Sequence, residues 1–415
     1  MFNSRHYEQL LATALRVATL GMRFGLMFYL AKILSLVELG LFGLYWASIQ
    51  LAASLIPLDV YAQTTRMLLS DKNISVDSVS KHFGFLLLAI LVFGPMAGYL
   101  AFTVSGDVGF LLMLLFALHL PIEVLATDMG RLLVPLGYPL QSNIILFIRS
   151  ACWVLPYVVL VEFGLIASDL DLVVVSWLIG SLLSAFIGAG VLYKIFERRF
   201  TLDFDFTWIK KALLASSLFL LATLMFRLLL GVDRFLVNWR LGVEAVGIYS
   251  LYASVALGVL ALVESGVSAW HYPSLVAAIR AKDSLMTRRR LKSFLVQNSI
   301  ACVGLVLSIA VAFPIAINLF LDDIFMNHIE GFYLMVVGVA FYCLSMPFHY
   351  CIYAVERDYL FVFIYGVSGV FMGVWAFFYM ADYGVLGAGI MLVIALLSIA
   401  VMRVLLSVTV IFNKV

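Results

Sequence analysis

FGFLLLAILVFGPMAGYLAFTV, residues 83–104, runs for 22 positions without a charge. The run is too long for a buried strand and shows no alternation of apolar and polar side chains. It has the length that a helix needs to cross the hydrocarbon of a bilayer, about 20 residues at about 1.5 Å each. Lipid offers the backbone no hydrogen-bond partner. A lone apolar run must therefore satisfy its own amides, which a helix does.

The rest of the chain repeats this pattern. Spans are expected near 10–31, 40–62, 83–104, 108–128, 142–163, 172–193, 212–231, 245–268, 293–317, 331–354, 359–381 and 385–411. Of the 415 residues, 64% are hydrophobic and 12% charged, and the mean hydropathy is +1.10. A water-soluble surface could not be built from so few polar groups. The expected fold is all-α: a polytopic membrane protein of about 12 transmembrane helices. The start of the chain lacks the small-residue cleavage site of a secretory leader, so the first apolar run is taken as a span.

Lys and Arg collect in alternate loops. Arg66, Lys72 and Lys81 form one group, Lys194 to Lys211 another, and Arg280 to Lys292 a third. The intervening loops carry Asp107, Glu162, Asp169, Asp171, Asp322, Asp323 and Asp382. The positive-inside rule places the basic loops and both termini in the cytoplasm. The basic run 280–292 also suits anionic headgroups, although fixing topology is a sufficient role for it.

A repeat divides the chain. GLFGLY at 40–45 returns as GIYSLY at 247–252, after LSLVEL at 34–39 and LGVEAV at 241–246. The expected plan is a six-helix lobe over 1–193, a linker over 194–211 and a second six-helix lobe over 212–415, around a central cavity. Transporters built from two such halves bind their cargo near the midplane.

Charges at bilayer depth are costly, on the order of 3 kcal/mol each, so they are the first candidates for function. Arg16 and Arg23 share one face of helix 1, close to Thr19. Arg227 lies on helix 7, one turn after Thr223, and Arg149 lies early in helix 5. Guanidinium keeps its charge when buried and meets phosphate through paired hydrogen bonds. These four are candidates to bind a diphosphate. Snorkelling to the interface is the alternative, mainly for Arg16 and Arg149.

His119, Glu123 and Thr127 recur at four-residue steps on helix 4, and Arg131 continues the stripe. The stripe suits either a polar seam between helices or a proton or cation relay. Asp59 and Glu264 are further relay candidates. Ser268 and His271 share the face of Glu264, and Ser345, His349 and Glu356 line helix 10. The four cysteines (Cys152, Cys302, Cys343, Cys351) fall in apolar runs without CxxC or CxxH spacing. They read as small buried hydrophobes, with neither a disulfide framework nor a metal site. No nucleotide-binding, zinc or hydrolase motif occurs. No cofactor and no nucleic-acid partner are expected.

YLAKILSLVELGLFGLYWA (29–47) resembles the first hairpin of bacterial polysaccharide and O-antigen flippases. These belong to the multidrug/oligosaccharidyl-lipid/polysaccharide exporter superfamily. VDRFLVNWRLGVEAVGIYSLYASVA (232–256) resembles the same family's second-half phrase, and HYPSLVAA (271–278) the segment that follows it. The first phrase departs in having Val37 where proline is usual.

The resemblance implies a flippase for an undecaprenyl-diphosphate-linked oligosaccharide in the inner membrane, used in surface polysaccharide or lipopolysaccharide biosynthesis. An ion gradient or the membrane potential would drive it. Its implied partners are the lipid-linked oligosaccharide, membrane lipids, and the polysaccharide polymerase and chain-length machinery. Arg16, Arg23 and Arg227 match the arginines that meet the diphosphate by position. Asp233 and Arg234 match an aspartate–arginine pair read here as a structural clasp.

Two other classes stand beside this one. A twelve-helix transporter of a soluble solute would usually carry a glycine–aspartate–basic signature at 66–82, which is missing. A membrane polymerase or ligase would need a larger extracytoplasmic loop than this chain offers.

Overall fold

A computed structural model describes residues 2–70, 76–105, 109–196, 201–215 and 217–412. Among these residues the regular structure is helical throughout. The first half comprises α1 (Phe2–Ile33), α2 (Leu36–Leu55), α3 (Val60–Ser70), α4 (Val76–Ser105) and α5 (Phe110–Leu133). It continues with α6 (Pro139–Phe147), a π-helical turn at Ile148–Cys152, α7 (Val154–Glu162) and α8 (Leu170–Ile195). The second half begins with α9 (Phe206–Ala215), α10 (Ser217–Gly231), α11 (Asp233–Leu241) and α12 (Val243–Val263). A second π-helical turn (Glu264–Ser268), α13 (Ala269–Arg280), α14 (Ser284–Phe320) and the short α15 (Asp323–Met326) follow. The chain ends with α16 (Ile329–Leu344), α17 (Met346–Ala354), α18 (Asp358–Phe378) and α19 (Met380–Phe412).

Eleven described helical segments are long and apolar enough to span. The seventh expected span is divided between α9 and α10, on either side of residue 216. Of the cytoplasmic cations expected from the sequence, Lys72, Arg198, Arg199 and Lys414 lie outside the described residues. The protein is thus a polytopic, all-α membrane protein with about twelve spans in two sets of six.

Local chemistry sets the helix ends. Ser35 and Glu38 form a capping box at the start of α2. Glu38 Oε2 accepts from the Ser35 amide at 3.0 Å, and Ser35 Oγ accepts from the Glu38 amide at 3.3 Å. Asp169 caps α8 by accepting from the Leu172 amide at 2.9 Å, and Asp283 caps α14 in the same way through Met286. α2 stops where Leu58 and Asp59 take left-handed backbone angles (φ 45° and 50°), which starts α3 in a new direction. α5 continues through Pro121 without a break. At 37 residues, α14 is about 55 Å long. It therefore outruns the hydrocarbon and carries the basic run 288–292 beyond it. Cys302, Cys343 and Cys351 are buried as expected, but Cys152 is exposed. An outward thiol in a bilayer meets hydrocarbon, so the residue type does not demand burial there.

The chain forms two compact units. Unit 1 holds residues 1–34 and 41–220, and unit 2 holds 35–40 and 221–415. Segment 35–40 joins unit 2 because its backbone packs directly on α12. A Cβ on Gly40 would collide with the Val243 carbonyl, and one on Gly247 would lie 2.6 Å from the Leu36 carbonyl oxygen. The two copies of the repeated phrase therefore meet at their glycines, where only a missing side chain permits the approach.

The linker is seated on unit 1. Lys81 pairs with Asp77 at 3.1 Å and with Asp205 at 3.2 Å, and Gly84 leaves room for the Asp203 carbonyl. The Trp208 amide, then Lys81, hold the Asp205 carboxyl below its ordinary pKa.

Candidate functional site

Four elements of unit 1 converge on Glu123. On α5, His119, Glu123 and Thr127 follow one another at helical spacing, so their side chains share a face. The π-helical turn inserts an extra residue into the helix after α6 and turns Arg149 toward that face. The Arg149 carbonyl accepts from Trp153 Nε1 at 3.2 Å, which ties down the turn. α8 comes close at Gly180, where a Cβ would sit 2.6 Å from Trp153 Cδ1 and 3.1 Å from the Ile148 carbonyl oxygen. The next residue, Ser181, can then reach the acid.

Glu123 is wholly buried. Its Oε1 meets Arg149 Nη1 at 2.6 Å and accepts from Gln50 Nε2 at 3.2 Å. Its Oε2 accepts from Ser181 Oγ at 2.7 Å. His119 Nε2 faces Ser181 Oγ at 3.1 Å, and Nδ1 faces the Tyr45 hydroxyl at 3.2 Å. Arg149 Nη1 also contacts Thr127 Oγ1. The His119 ring sits edge-on to Trp177, with centroids 4.5 Å apart. Trp177 packs on Trp46 at 5.2 Å, and Arg23 lies over the Trp46 ring at 4.5 Å. The arrangement holds a charged pair in low dielectric and connects it to a histidine through a single hydroxyl.

The structure thus brings together residues that the sequence assigned to separate tasks. Arg149, a diphosphate candidate, is paired with Glu123, a relay candidate, and His119 lies one hydroxyl away. Arg16 is exposed and donates from Nε to Asn143 Oδ1 at 2.8 Å. Arg227 is half-buried on α10 in unit 2. Asp59 is buried in the turn between α2 and α3. Glu264 opens the second π-helical turn in unit 2, and its charge interacts with that of Arg403. Asp233 and Arg234 form the expected clasp. Asp233 accepts from Tyr249 OH at 2.7 Å and from the Arg234 amide at 2.8 Å.

Two clusters escaped the sequence reading. His82 and Asp128, both wholly buried, meet at 3.0 Å. Thr64 is on the other side of the ring at 3.1 Å, and Arg131 is 3.6 Å from Asp128. Asp128 and Arg131 are neighbours three apart on α5, which is the signal that could have found them. In unit 2, Arg403 is wholly buried. It donates to Tyr342 OH at 3.0 Å, Tyr365 OH at 3.2 Å and Ser345 Oγ at 3.3 Å. It also lies 4.3 Å from the Tyr342 ring centroid. Arg403 is the one charge in the expected span 385–411, and that isolation was its signal.

A family model described as "Polysaccharide biosynthesis protein" matches residues 145–330, a stretch that includes the 232–256 phrase. No curated protein sequence matches this chain. Among solved structures, the chain is similar to an inward-facing multidrug resistance MATE family transporter of the MOP superfamily. Identity is 13%, with 96% of this chain and 98% of that one covered, and the TM-score is 0.74. It is similar to the lipid II flippase MurJ in an inward closed conformation, at 14% identity, 98% and 90% coverage and a TM-score of 0.72. A MOP superfamily transporter from Pyrococcus furiosus is similar at 15% identity, 98% and 96% coverage and a TM-score of 0.65. The fold is that of these transporters, and the matched region supports the resemblance to polysaccharide flippases.

Proposed function

We propose that the protein is a flippase that carries an undecaprenyl-diphosphate-linked oligosaccharide across the bacterial inner membrane for surface polysaccharide biosynthesis. In this reading both termini are cytoplasmic, and the cargo follows a path lined by arginines that opens to each side in turn. The observation that carries the proposal is the set of arginines at membrane depth in a chain matched over 145–330 by a polysaccharide biosynthesis family. Arg23, stacked over the Trp46 ring, is the first of them. Arg16, Arg149 and Arg227 would complete the recognition of the diphosphate. A guanidinium matches the phosphate oxygens in pairs and retains its charge in low dielectric. The sugar passes with less specific contact, and the polyprenyl tail stays in lipid. The polymerase and chain-length machinery would receive the unit on the far side.

The test is export in cells and flipping in vesicles. An Arg23→Ala, Arg227→Ala double variant should accumulate lipid-linked units on the cytoplasmic face and lose surface glycan, with protein levels unchanged. Normal surface glycan in that variant would overturn the reading.

A further inference from the structure

The hydrogen bonds around Glu123 have a fixed direction, which follows from counting hydrogens. The carboxylate paired with Arg149 has none to give, so the Ser181 hydroxyl spends its single hydrogen on Oε2 at 2.7 Å. Ser181 Oγ must then accept from His119 Nε2, 3.1 Å away. A neutral ring protonated at Nε2 has a bare Nδ1, which accepts from the Tyr45 hydroxyl at 3.2 Å. Donation therefore runs one way: Tyr45 to His119, His119 to Ser181, Ser181 to Glu123. Tyr45 borders a cavity of about 20 Å³, also lined by Ser48, Ala101 and Phe102. That is room for about one water.

The other end of the chain of bonds is the ion pair. Arg149 keeps 11% of its side-chain surface open, against 1% for Glu123. Its buried Nε has no hydrogen-bond partner. The guanidinium thus has a donor to spare and is the more accessible member of the pair. Every group facing Glu123 is on hand to account for its charge. α2 presents Tyr45 and Gln50, α5 presents His119 and Thr127, the π-helical turn presents Arg149, and α8 presents Ser181. Arg149 is the permanent cation among them, and His119 Nε2 also lies 3.8 Å from Oε2.

We propose that a phosphate-bearing ligand and a proton bind this pair together, the phosphate on Arg149 and the proton on Glu123. When Arg149 turns to the phosphate, Glu123 takes a proton delivered through Tyr45, His119 and Ser181. Ser181 gives its proton to Glu123 Oε2 and takes the Nε2 proton of His119. His119 Nδ1 takes the Tyr45 proton, and Tyr45 is reprotonated from water. One O–H bond forms on Glu123, and one proton leaves solution. At no stage is a bare charge left buried, which would cost several kcal/mol. The inference rests on the flippase reading for its anionic cargo and adds the coupling of that cargo to protons.

The experiment uses the full chain in phosphatidylcholine nanodiscs with undecaprenyl diphosphate as the probe. In weak buffer, binding should take up about one proton per ligand, and affinity should rise as pH falls, as linkage requires. A protonated-carboxyl band should appear in the infrared difference spectrum on binding. Glu123→Gln should bind the probe with pH-independent affinity, no uptake and no band. Ser181→Ala should keep the stoichiometry and slow the uptake. Binding to the wild type without uptake and without the band would overturn the coupling and leave the flippase reading standing. So would uptake that persists in Glu123→Gln. Failure of the probe to bind at all would overturn both.

Discussion

Two arginines, Arg149, partly buried in unit 1, and Arg403, wholly buried in unit 2, are kept in place by opposite means. Arg149 meets a carboxylate at 2.6 Å, so its charge is cancelled on site. Arg403 meets phenol and serine hydroxyls, a thioether and an aromatic face. Among the described residues, no carboxylate lies within ion-pair distance of it. Dipoles stabilise its charge at contact distance, and Glu264 acts on it from farther away. A cancelled pair can be opened by a competitor of the same sign as one partner. A charge held by dipoles has no partner to lose. The first arrangement suits a group that changes state during transport, and the second suits a fixed field.

The sharpest way to break this comparison is to remove the acid. Glu123→Ala strands Arg149 in low dielectric and should destabilise the protein by about 3–5 kcal/mol, read as unfolding in detergent. Glu123→Leu combined with Arg149→Leu should recover most of that loss, because an apolar pair needs no partner. A single Glu123→Ala variant as stable as the wild type would mean that Arg149 is already solvated by something other than the acid.

The corresponding change in unit 2 should cost less. Arg403→Met removes a charge with no carboxylate at ion-pair distance, and that relief offsets part of the cost of the phenol oxygens left without a donor, about 1–3 kcal/mol each. Tyr342→Phe should be milder still, because Arg403 keeps Tyr365 and Ser345. Arg403→Lys should be worse than Arg403→Met, because the charge remains but the planar fork that reaches several hydroxyls is gone. If Arg403→Met proves as damaging as Glu123→Ala, the charge in unit 2 is paired after all.

The two arginines also mark how much could be read from the sequence. Spans were legible because hydrocarbon imposes length and composition on a single helix, as in 83–104. Arg149 and Glu123 were each visible as costly charges. Their pairing was not, because it depends on a π-helical turn and on Gly180, neither of which leaves a pattern in one strand of text. The stripe from His119 to Thr127 revealed the face but not what it faces. Arg403 was visible as a lone charge, yet its partners are tyrosines, which look like core when read one at a time. The repeat at Gly40 and Gly247 was legible as similarity. That the two copies touch is a matter of backbone approach, which no spacing encodes.

The smallest effect belongs to a charge cluster in water, and it sets the baseline for the other two. Lys81 pairs with Asp77 and Asp205 beneath the linker, where solvent and salt screen the attraction. The Trp208 amide and Lys81 hold the Asp205 carboxyl below its ordinary pKa. A depressed carboxylate contributes stability above its unfolded-state pKa and loses it as pH falls through the folded one. Asp205→Asn should therefore shift unfolding less than any change above, only at pH values where the wild-type carboxyl is ionised, and the shift should vanish at high salt. The loss from Glu123→Ala should persist at high salt, since ions cannot reach a pair walled in by α2, α5 and α8. Equal salt sensitivity at the two sites would show that water reaches Glu123, and the contrast between cancelled and solvated charge would then have to be redrawn around that access.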